Sequence, residues 1–290
     1  MRDGFINVNK PPNMTSHDVV NIVRKVMCTK KVGHGGTLDP FATGVLPIAI
    51  GRATKFIEYL SNCDKFYRAE IFFGIETDTG DITGKVINQM NFNMPKYSEI
   101  VSILQSFIGV ITQTPPKFSA IKINGHKAYE LARKNIDFDM PSRQVNINKI
   151  TLADITDSTL QIDIECSKGT YIRSLAVDIG KKLNILTTLK TLQRIKVGNF
   201  LISESFTLDE LKKNTYDCII NIDNCLNHLP KFDLPKHRLK AFCSGLSTTV
   251  NENLNDEILY RTYVEDKFIG IGKIVKGEFK SVKLYLSQNI

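Results

Sequence analysis

The alternation of apolar and polar side chains predicts several short, half-buried strands. Residues 4–9 alternate and then meet Lys10, Pro11 and Pro12, which is typical of a strand that ends at prolines. The same signal predicts further strands at residues 66–73, 144–152 and 159–166, and short strand-like runs follow beyond residue 230 at 268–275 and 280–286.

Apolar residues spaced three and four apart predict helices between these strands. The first helix carries its apolar face from Val19 to Val26, and Ser16 is expected to cap its N-terminus. Further helices are predicted at residues 100–107, 128–134 and 171–179, the last one ending at Gly180. Strands and helices mixed without regular βαβ spacing indicate an α+β fold with a largely antiparallel sheet.

Length and charge narrow the classes of protein to consider. The chain has 290 residues, which predicts about two domains, and a boundary near Leu229-Pro230 divides it into residues 1–230 and 231–290. Lys and Arg number 38 against 30 Asp and Glu, so the net charge of +8 favours a polyanionic partner. We expect no membrane span, because no run of 18 apolar residues occurs. Residues 1–9 lack the apolar core of a secretory signal, which predicts a cytoplasmic protein.

The densest unusual segment is residues 33–47, which read G-H-G-G-T-L-D-P-F-A-T-G-V-L-P. Its single acid, Asp39, lies among glycines that permit close approach of a ligand, and Pro40 keeps Asp39 out of helical geometry. Such an acid can face a cleft. A tight turn in which Asp39 only caps the next helix explains the pattern equally well.

Several other kinds of site are disfavoured by spacing. The glycine-rich segment matches neither phosphate-binding loop, so a nucleotide-dependent enzyme is disfavoured. A single D-T-G triplet, at residues 78–80, does not supply the two aspartates of an aspartic protease. The six cysteines form no C-x-x-C and the five histidines no H-x-x-x-H. We therefore expect no metal and no nucleotide cofactor.

Residues 33–47, with G-R-A-T-K at 51–55, resemble the bacterial TruB-type tRNA pseudouridine synthases, which modify uridine 55 in the TΨC loop. Four more blocks resemble the same family in the same order: D-K-F-Y-R at 64–68, Q-T-P-P-K-F-S-A at 113–120, K-G-T-Y-I-R at 168–173 and L-Q-R at 192–194. The resemblance covers about residues 4–230 and implies a pseudouridine synthase fold, a central, largely antiparallel mixed sheet flanked by helices. For residues 231–290, only their position after the matching blocks implies a small, PUA-like β domain that binds RNA.

The resemblance also implies a mechanism without a cofactor. It makes Asp39 the nucleophile and Arg173 the cation that pairs with it, since an opposite charge favours the carboxylate anion. Cleaving N1–C1′, turning the uracil and joining C5 to C1′ is an isomerisation with no redox change. Attack at C1′, attack on the base and assistance in removing the ribose 2′-proton all remain open for Asp39. Arg173 has a plainer interpretation as a surface helix cation.

The target uridine must leave its stack to react. By resemblance, Tyr67 stacks on the flipped base and its hydroxyl can take part in proton transfer, while Tyr171 and Leu192 complete the pocket wall. His34 helps to fill the space that the flipped nucleotides leave. Core packing is the alternative for Tyr67, Tyr171 and Leu192, most strongly for Leu192, and a structural histidine is the alternative for His34.

Basic residues provide an expected surface for RNA. The resemblance implies an inserted loop, about residues 113–143, that closes over the T-arm of tRNA, although three interspersed acids also fit an ordinary solvated surface. We expect a monomer. A non-catalytic tRNA-binding or tRNA-folding protein is the competing hypothesis. The expected phosphate-contacting cations are Lys117, Lys122, Lys127, Arg133, Lys134 and Arg143, with Lys181, Lys182, Lys190, Arg194 and Lys196.

Overall fold

Two β-sheets and eight helices make up most of the computed structural model, which describes residues 3–214, 217–250, 255–256 and 258–285. The strands are β1 Gly4–Lys10, β2 Val32–His34, β3 Thr43–Ile50, β4 Lys65–Phe73, β5 Ile75–Thr77, β6 Val86–Gln89, β7 Gly109–Gln113, β8 Lys122–Ile123, β9 His126–Lys127, β10 Arg143–Ile155, β11 Thr159–Cys166, β12 Thr187–Val197, β13 Phe200–Leu201, β14 Lys231–Asp233, β15 Thr248–Thr249, β16 Leu259–Val264, β17 Lys267–Val275 and β18 Glu278–Leu284. The helices are α1 Ser16–Val26, α2 Ile57–Ser61, α3 Tyr97–Gln105, α4 Ala128–Arg133, α5 Ile172–Leu183, α6 Leu208–Lys213, α7 Ile222–Cys225 and α8 Leu239–Cys243.

The larger sheet has nine strands, and its main path runs β1-β3-β12-β4-β11-β10-β7. Along that path only β3 and β12 pair in parallel, so the expected largely antiparallel, mixed sheet is confirmed. Helices α3 and α5 pack on this sheet, and side chains such as Ile71, Leu104, Ile162 and Leu175 form the largest apolar core. The sheet therefore gives a rigid base from which loops project.

The N-terminus of α1 differs from the prediction by one residue. Thr15, not Ser16, is the cap: its hydroxyl accepts from the Asp18 amide and the Asp18 carboxylate accepts from the Thr15 amide, which completes a capping box. Ser16 is buried inside the first turn. Its hydroxyl donates to Leu38 O and accepts from Leu38 N, at 3.1 and 2.9 Å, so it joins α1 to the glycine-rich segment.

Helix α5 continues past Gly180 to Leu183, so the prediction that Gly180 ends this helix is wrong. The helix ends where Asn184 takes the left-handed conformation. A Cβ on Gly180 would lie 2.2 Å from Thr187 Oγ1, so this glycine allows β12 to lie close against α5.

The smaller sheet has five strands in the order β14-β16-β17-β18-β15. It contacts the rest of the chain through an aromatic cluster, in which the Phe56 and Phe268 rings lie 6.0 Å apart, and through an ion pair of 2.7 Å between Lys283 and Glu58. The strand predicted at 280–286 ends at Leu284 in the structure, and Leu286 lies outside the described residues. The expected C-terminal β region is thus confirmed.

Candidate active site

A cleft of about 280 Å³ opens where the segment between β2 and β3 passes over the middle of the large sheet. Five of the six residues singled out in the sequence line this cleft, although they are up to 153 positions apart (192 − 39). The five are Asp39, Tyr67, Tyr171, Arg173 and Leu192. His34 lies at the end of β2 and is not among the lining residues.

Asp39 and Arg173 form a bidentate ion pair at the base of the cleft. Arg173 Nε donates to Asp39 Oδ2 at 2.9 Å and Nη2 donates to Asp39 Oδ1 at 3.0 Å. The Arg173 side chain is 4% exposed, whereas that of Asp39 is 31% exposed. The arginine is therefore no surface cation, and the carboxylate keeps an open side toward the cleft.

The remaining donors of Arg173 are also engaged. Nη1 donates to Thr79 O at 3.0 Å and lies 3.5 Å from a carboxylate oxygen of Asp81, and Nη2 donates to Phe118 O at 2.9 Å. Asp81 is itself buried. Sequence analysis missed Asp81 because the adjacent D-T-G triplet was considered only as a protease motif.

The ionisation of Asp39 reflects competing influences. Burial raises the pKa of its carboxyl, the Arg173 guanidinium opposes that shift, and the nearby charge of Asp81 adds to it. A raised pKa means that Asp39 becomes protonated at a higher pH than an ordinary aspartate. Arg173 is consequently the main group that keeps the carboxylate charged in this buried site.

Two buried polar residues hold the Asp39 segment from behind. Ser16 bonds both backbone groups of Leu38, the residue before Asp39. The Lys10 ammonium donates to Met14 O at 2.6 Å and to Pro40 O at 3.0 Å, and burial lowers the pKa of Lys10 to about 8. Neither side chain was singled out as a site residue in the sequence, because Ser16 and Leu38 are 22 positions apart and Lys10 and Pro40 are 30 positions apart.

Arg194 is a structural residue, and its predicted place among the phosphate-contacting cations is wrong. Its side chain is almost fully buried and donates to the carbonyls of Val45, Gly36 and Thr37 at 2.8, 3.0 and 3.4 Å. Gly44 has a φ of +102°, and a Cβ there would lie 2.3 Å from Arg194 O, so only glycine fits this crossing. Arg194 thereby holds the glycine-rich segment against β12.

Tyr67 and Leu192 form the wall of the cleft next to Asp39. They lie on the neighbouring strands β4 and β12, where Leu192 pairs with Ala69 and Arg194 pairs with Tyr67. Both side chains also belong to the largest apolar core, so the packing role and the pocket role coincide. Burial raises the pKa of the Tyr67 hydroxyl, which keeps the phenol neutral.

Tyr171 is held by a residue that sequence analysis did not assign to the site. The amide side chain of Gln113, fully buried, donates to Tyr171 O at 3.0 Å and accepts from Tyr171 N at 2.8 Å.

His34 is half-buried and lies outside the cleft, and its Nδ1 accepts from Gly36 N at 3.4 Å. Burial, together with the charge of Arg194, lowers the pKa of His34, so its ring is neutral near pH 7.

Within the described ranges, no group of three or more His, Cys, Asp and Glu side chains is placed to hold a metal ion. No helix in the same part of the chain combines the length and the apolar character that crossing a bilayer requires.

Comparisons with known proteins identify the class. Residues 24–172 match the family model described as TruB family pseudouridylate synthase, N-terminal domain. The chain therefore belongs to the TruB family of pseudouridylate synthases, as its motifs suggested, and it is an enzyme of that class.

Its relatives carry a more specific name. The chain is 44% identical to a tRNA pseudouridine synthase B of Clostridium kluyveri, over 98% of this chain and 100% of the relative. It is 46% identical to the protein of the same name from Bacillus pumilus, over 81% and 79% of the two chains.

Solved structures share the fold. A chain in the crystal structure of a Cbf5-Nop10-Gar1 complex is 25% identical, with a TM-score of 0.78, and the match covers 99% of this chain and 86% of that one. A chain of an H/ACA RNP bound to a substrate RNA containing 2′-deoxyuridine matches with a TM-score of 0.77 at 23% identity, over 99% and 86% of the two chains. The expected α+β pseudouridine synthase fold is confirmed.

Proposed function

We propose that this enzyme isomerises uridine to pseudouridine in tRNA, at position 55 of the TΨC loop, with Asp39 as the nucleophile. The observation that carries the proposal is the bidentate pair between Asp39 and the buried Arg173, which leaves one side of the carboxylate open to a cleft with Tyr67 in its wall. The name shared by the Clostridium and Bacillus relatives supports tRNA as the substrate.

The reaction conserves every atom of the nucleotide. The N1–C1′ bond breaks, the uracil turns within the cleft, C5 bonds to C1′, and the proton lost from C5 is replaced by one gained at N1. As the nucleophile, the Asp39 carboxylate forms one transient bond to the nucleotide, which breaks again before pseudouridine is released, and Arg173 keeps the carboxylate charged. Tyr67 stacks on the flipped base, and its neutral hydroxyl can relay a proton.

The other residues of the cleft are assigned to substrate binding. Tyr171 and Leu192 form the wall that encloses the flipped uracil, which excludes water from the reacting atoms. His34, uncharged and outside the cleft, occupies the space that the flipped nucleotides leave in the T-loop. We propose no metal and no nucleotide cofactor, because the isomerisation needs neither an oxidant nor an activated group.

We further propose how the chain divides its contacts with tRNA. Residues 1–230 form the catalytic domain, and its insertion at about 113–143 lies against the T-arm through exposed cations such as Lys122 and Lys127. Residues 231–290 form a small PUA-like domain that adds RNA contacts. The enzyme acts as a cytoplasmic monomer on one tRNA at a time.

Position-resolved mapping of pseudouridine tests this function. The purified enzyme is incubated with an unmodified tRNA transcript, and pseudouridine is located by chemical labelling and mass spectrometry. We expect modification of U55 alone without any added cofactor, and none in a transcript carrying U55C. Modification at a different uridine, or dependence on an added nucleotide or metal, would contradict the proposal.

A further inference from the structure

Arg143 differs from the other two arginines of the cleft because no residue in the described part of the chain accepts a hydrogen bond from its side chain. Its Nε is buried without a hydrogen bond, and no carboxylate of the described residues forms an ion pair with its guanidinium. Arg173, in contrast, is paired with Asp39 and Asp81, and Arg194 bonds three carbonyls. Arg143 is half-buried, and its buried Nε is an N–H donor without an acceptor, which is costly, so an acceptor from outside the chain is expected.

The guanidinium is nevertheless held in one place. Its Cζ lies 4.7 Å from the centre of the Tyr171 ring, an ordinary cation–π distance. On another side lies Gly169, whose φ is +83° and whose absent Cβ would be 3.6 Å from Arg143 Cζ. Arg143 thus packs between the cleft wall and the turn before α5, which fixes the direction of its donors before any substrate binds.

Its position identifies the kind of partner. Arg143 begins β10 at the point where the insertion ends, and it lines the cleft together with Asp39, Ser167 and Thr170. A uridine of RNA that enters this cleft of about 280 Å³ brings with it a backbone phosphate on each side of its ribose. A planar guanidinium with several free donors matches a phosphate better than the single neutral carbonyls of uracil.

We infer that Arg143 binds a backbone phosphate adjoining the flipped uridine, so that it positions the nucleotide in the cleft rather than belonging to the outer RNA-binding surface. The inference rests on the proposed function, since it takes the phosphate from an RNA that enters this cleft. The ligand is thus a single phosphodiester in a fixed register, and the contact differs from the diffuse attraction that exposed lysines supply.

A double-mutant cycle between protein and RNA tests the inference. Binding is measured with D39N protein and T-arm stem-loops that carry one methylphosphonate, either 5′ or 3′ of the target uridine, in place of the charged phosphate. We expect R143Q to weaken binding roughly ten-fold or more. Neutralising one of the two phosphates should weaken it similarly in the parent protein but hardly at all in R143Q, because the same contact is already lost.

The matched control is R68Q on strand β4. Arg68 is exposed on the opposite face of β4 from Tyr67 and pairs with Asp163 at 2.8 Å, so this variant removes an arginine remote from the cleft. It should bind all stem-loops like the parent, with the full effect of the methylphosphonate retained. Thermal unfolding of R143Q checks that the variant is folded, and R143K should recover only part of the affinity because a lysine lacks the planar fork.

Independent effects of R143Q and of both methylphosphonates would overturn the inference, as would unchanged binding by R143Q. A merely structural role of Arg143 would weaken binding equally for charged and neutral stem-loops and would show no coupling. Failure of the proposed function has a separate signature: wild-type enzyme would bind the stem-loop and form no pseudouridine, while the coupling could still be measured.

Discussion

Arg173 fills almost all of its hydrogen-bonding capacity within the protein. Its guanidinium contacts two carboxylates and two backbone carbonyls, all contributed by segments remote in sequence. A side chain fixed in this way cannot turn toward solvent, so the carboxylate of Asp39 has one orientation and one open face. The cost of burying these charges is met only because each donor has an acceptor.

The pH dependence of the reaction should report on the Asp39–Arg173 pair. In the proposed mechanism activity requires the Asp39 carboxylate, so kcat/KM should fall as the pH drops through the pKa of that group. Since Arg173 lowers this pKa, R173Q should move the acidic limb toward neutral pH and reduce kcat/KM by at least about a hundred-fold. Rates across pH 4 to 8 would check this, and an unmoved limb would contradict the assigned pair.

Asp81 should act on the same limb in the opposite direction. Its charge raises the pKa of Asp39, so D81N should move the limb to lower pH even though looser placement of Arg173 reduces kcat/KM by about ten-fold. The comparison uses the same pH series as for R173Q. If both variants shifted the limb the same way, Asp81 would not be the like charge that the structure indicates.

The sequence motifs and their family resemblance predicted five of the residues that gather in the cleft, but not the residues that support them. Asp39, Tyr67 and Arg173 stand in recognisable blocks. The supporting contacts of Ser16 and Gln113 join segments 22 and 58 positions apart, and their residue types are unremarkable. Only the fold brings such partners together, and for that reason sequence analysis missed them.

At the scale of elements, the N-terminus of helix α1 has two adjacent side chains with different roles. One stabilises the helix, and the other supports the site. Thr15 caps the helix in solvent, whereas the adjacent Ser16 bonds the backbone of Leu38. T15A should lower the free energy of unfolding by about 1 kcal/mol and leave kcat unchanged. S16A should lower it by about 1 to 3 kcal/mol and also reduce kcat, since Leu38 N becomes a buried unpaired donor beside Asp39.

Urea unfolding and single-turnover rates on both α1 variants would check the contrast. Equal losses of stability with kcat unaffected in both would show that the Leu38 contact does not hold the catalytic segment.

Strand β12 shows why hydrophobic patterning predicted some elements and missed others. Strands such as β4 and β11 alternate regularly and were predicted nearly to the residue. In β12 the register against β4 shifts twice, between Leu189 and Thr191 and between Arg194 and Lys196. Each shift exchanges the inner and outer faces of the strand, so apolar and polar residues do not alternate regularly along β12. The sequence therefore showed its basic residues but predicted no strand there.

At the scale of the whole molecule, the net positive charge of the chain favours binding of its RNA substrate. The net charge of +8 attracts RNA generally, and the insertion contributes Ser119, Ala120 and Arg143 to the lining of the cleft. Binding should therefore weaken steeply as salt rises, because each phosphate contact releases counterions.

Two lysines of the insertion allow this to be measured. Lys122 and Lys127 face each other across the β8–β9 hairpin and are exposed. K122Q/K127Q should weaken binding of tRNA and reduce the slope of log affinity against log salt by about one for each lysine. Filter binding from 50 to 300 mM salt would determine the slope, and a slope equal to that of the parent would place these lysines outside the interface.

The proposed chemistry depends above all on the carboxylate of Asp39, which the D39N substitution removes. The variant keeps the size of the side chain and removes the ionisable oxygen, so RNA binding should persist. Single-turnover assays with a T-arm stem-loop should show pseudouridine formation slowed by at least about a thousand-fold relative to the wild type. Pseudouridine formed by D39N at the wild-type rate would contradict the account.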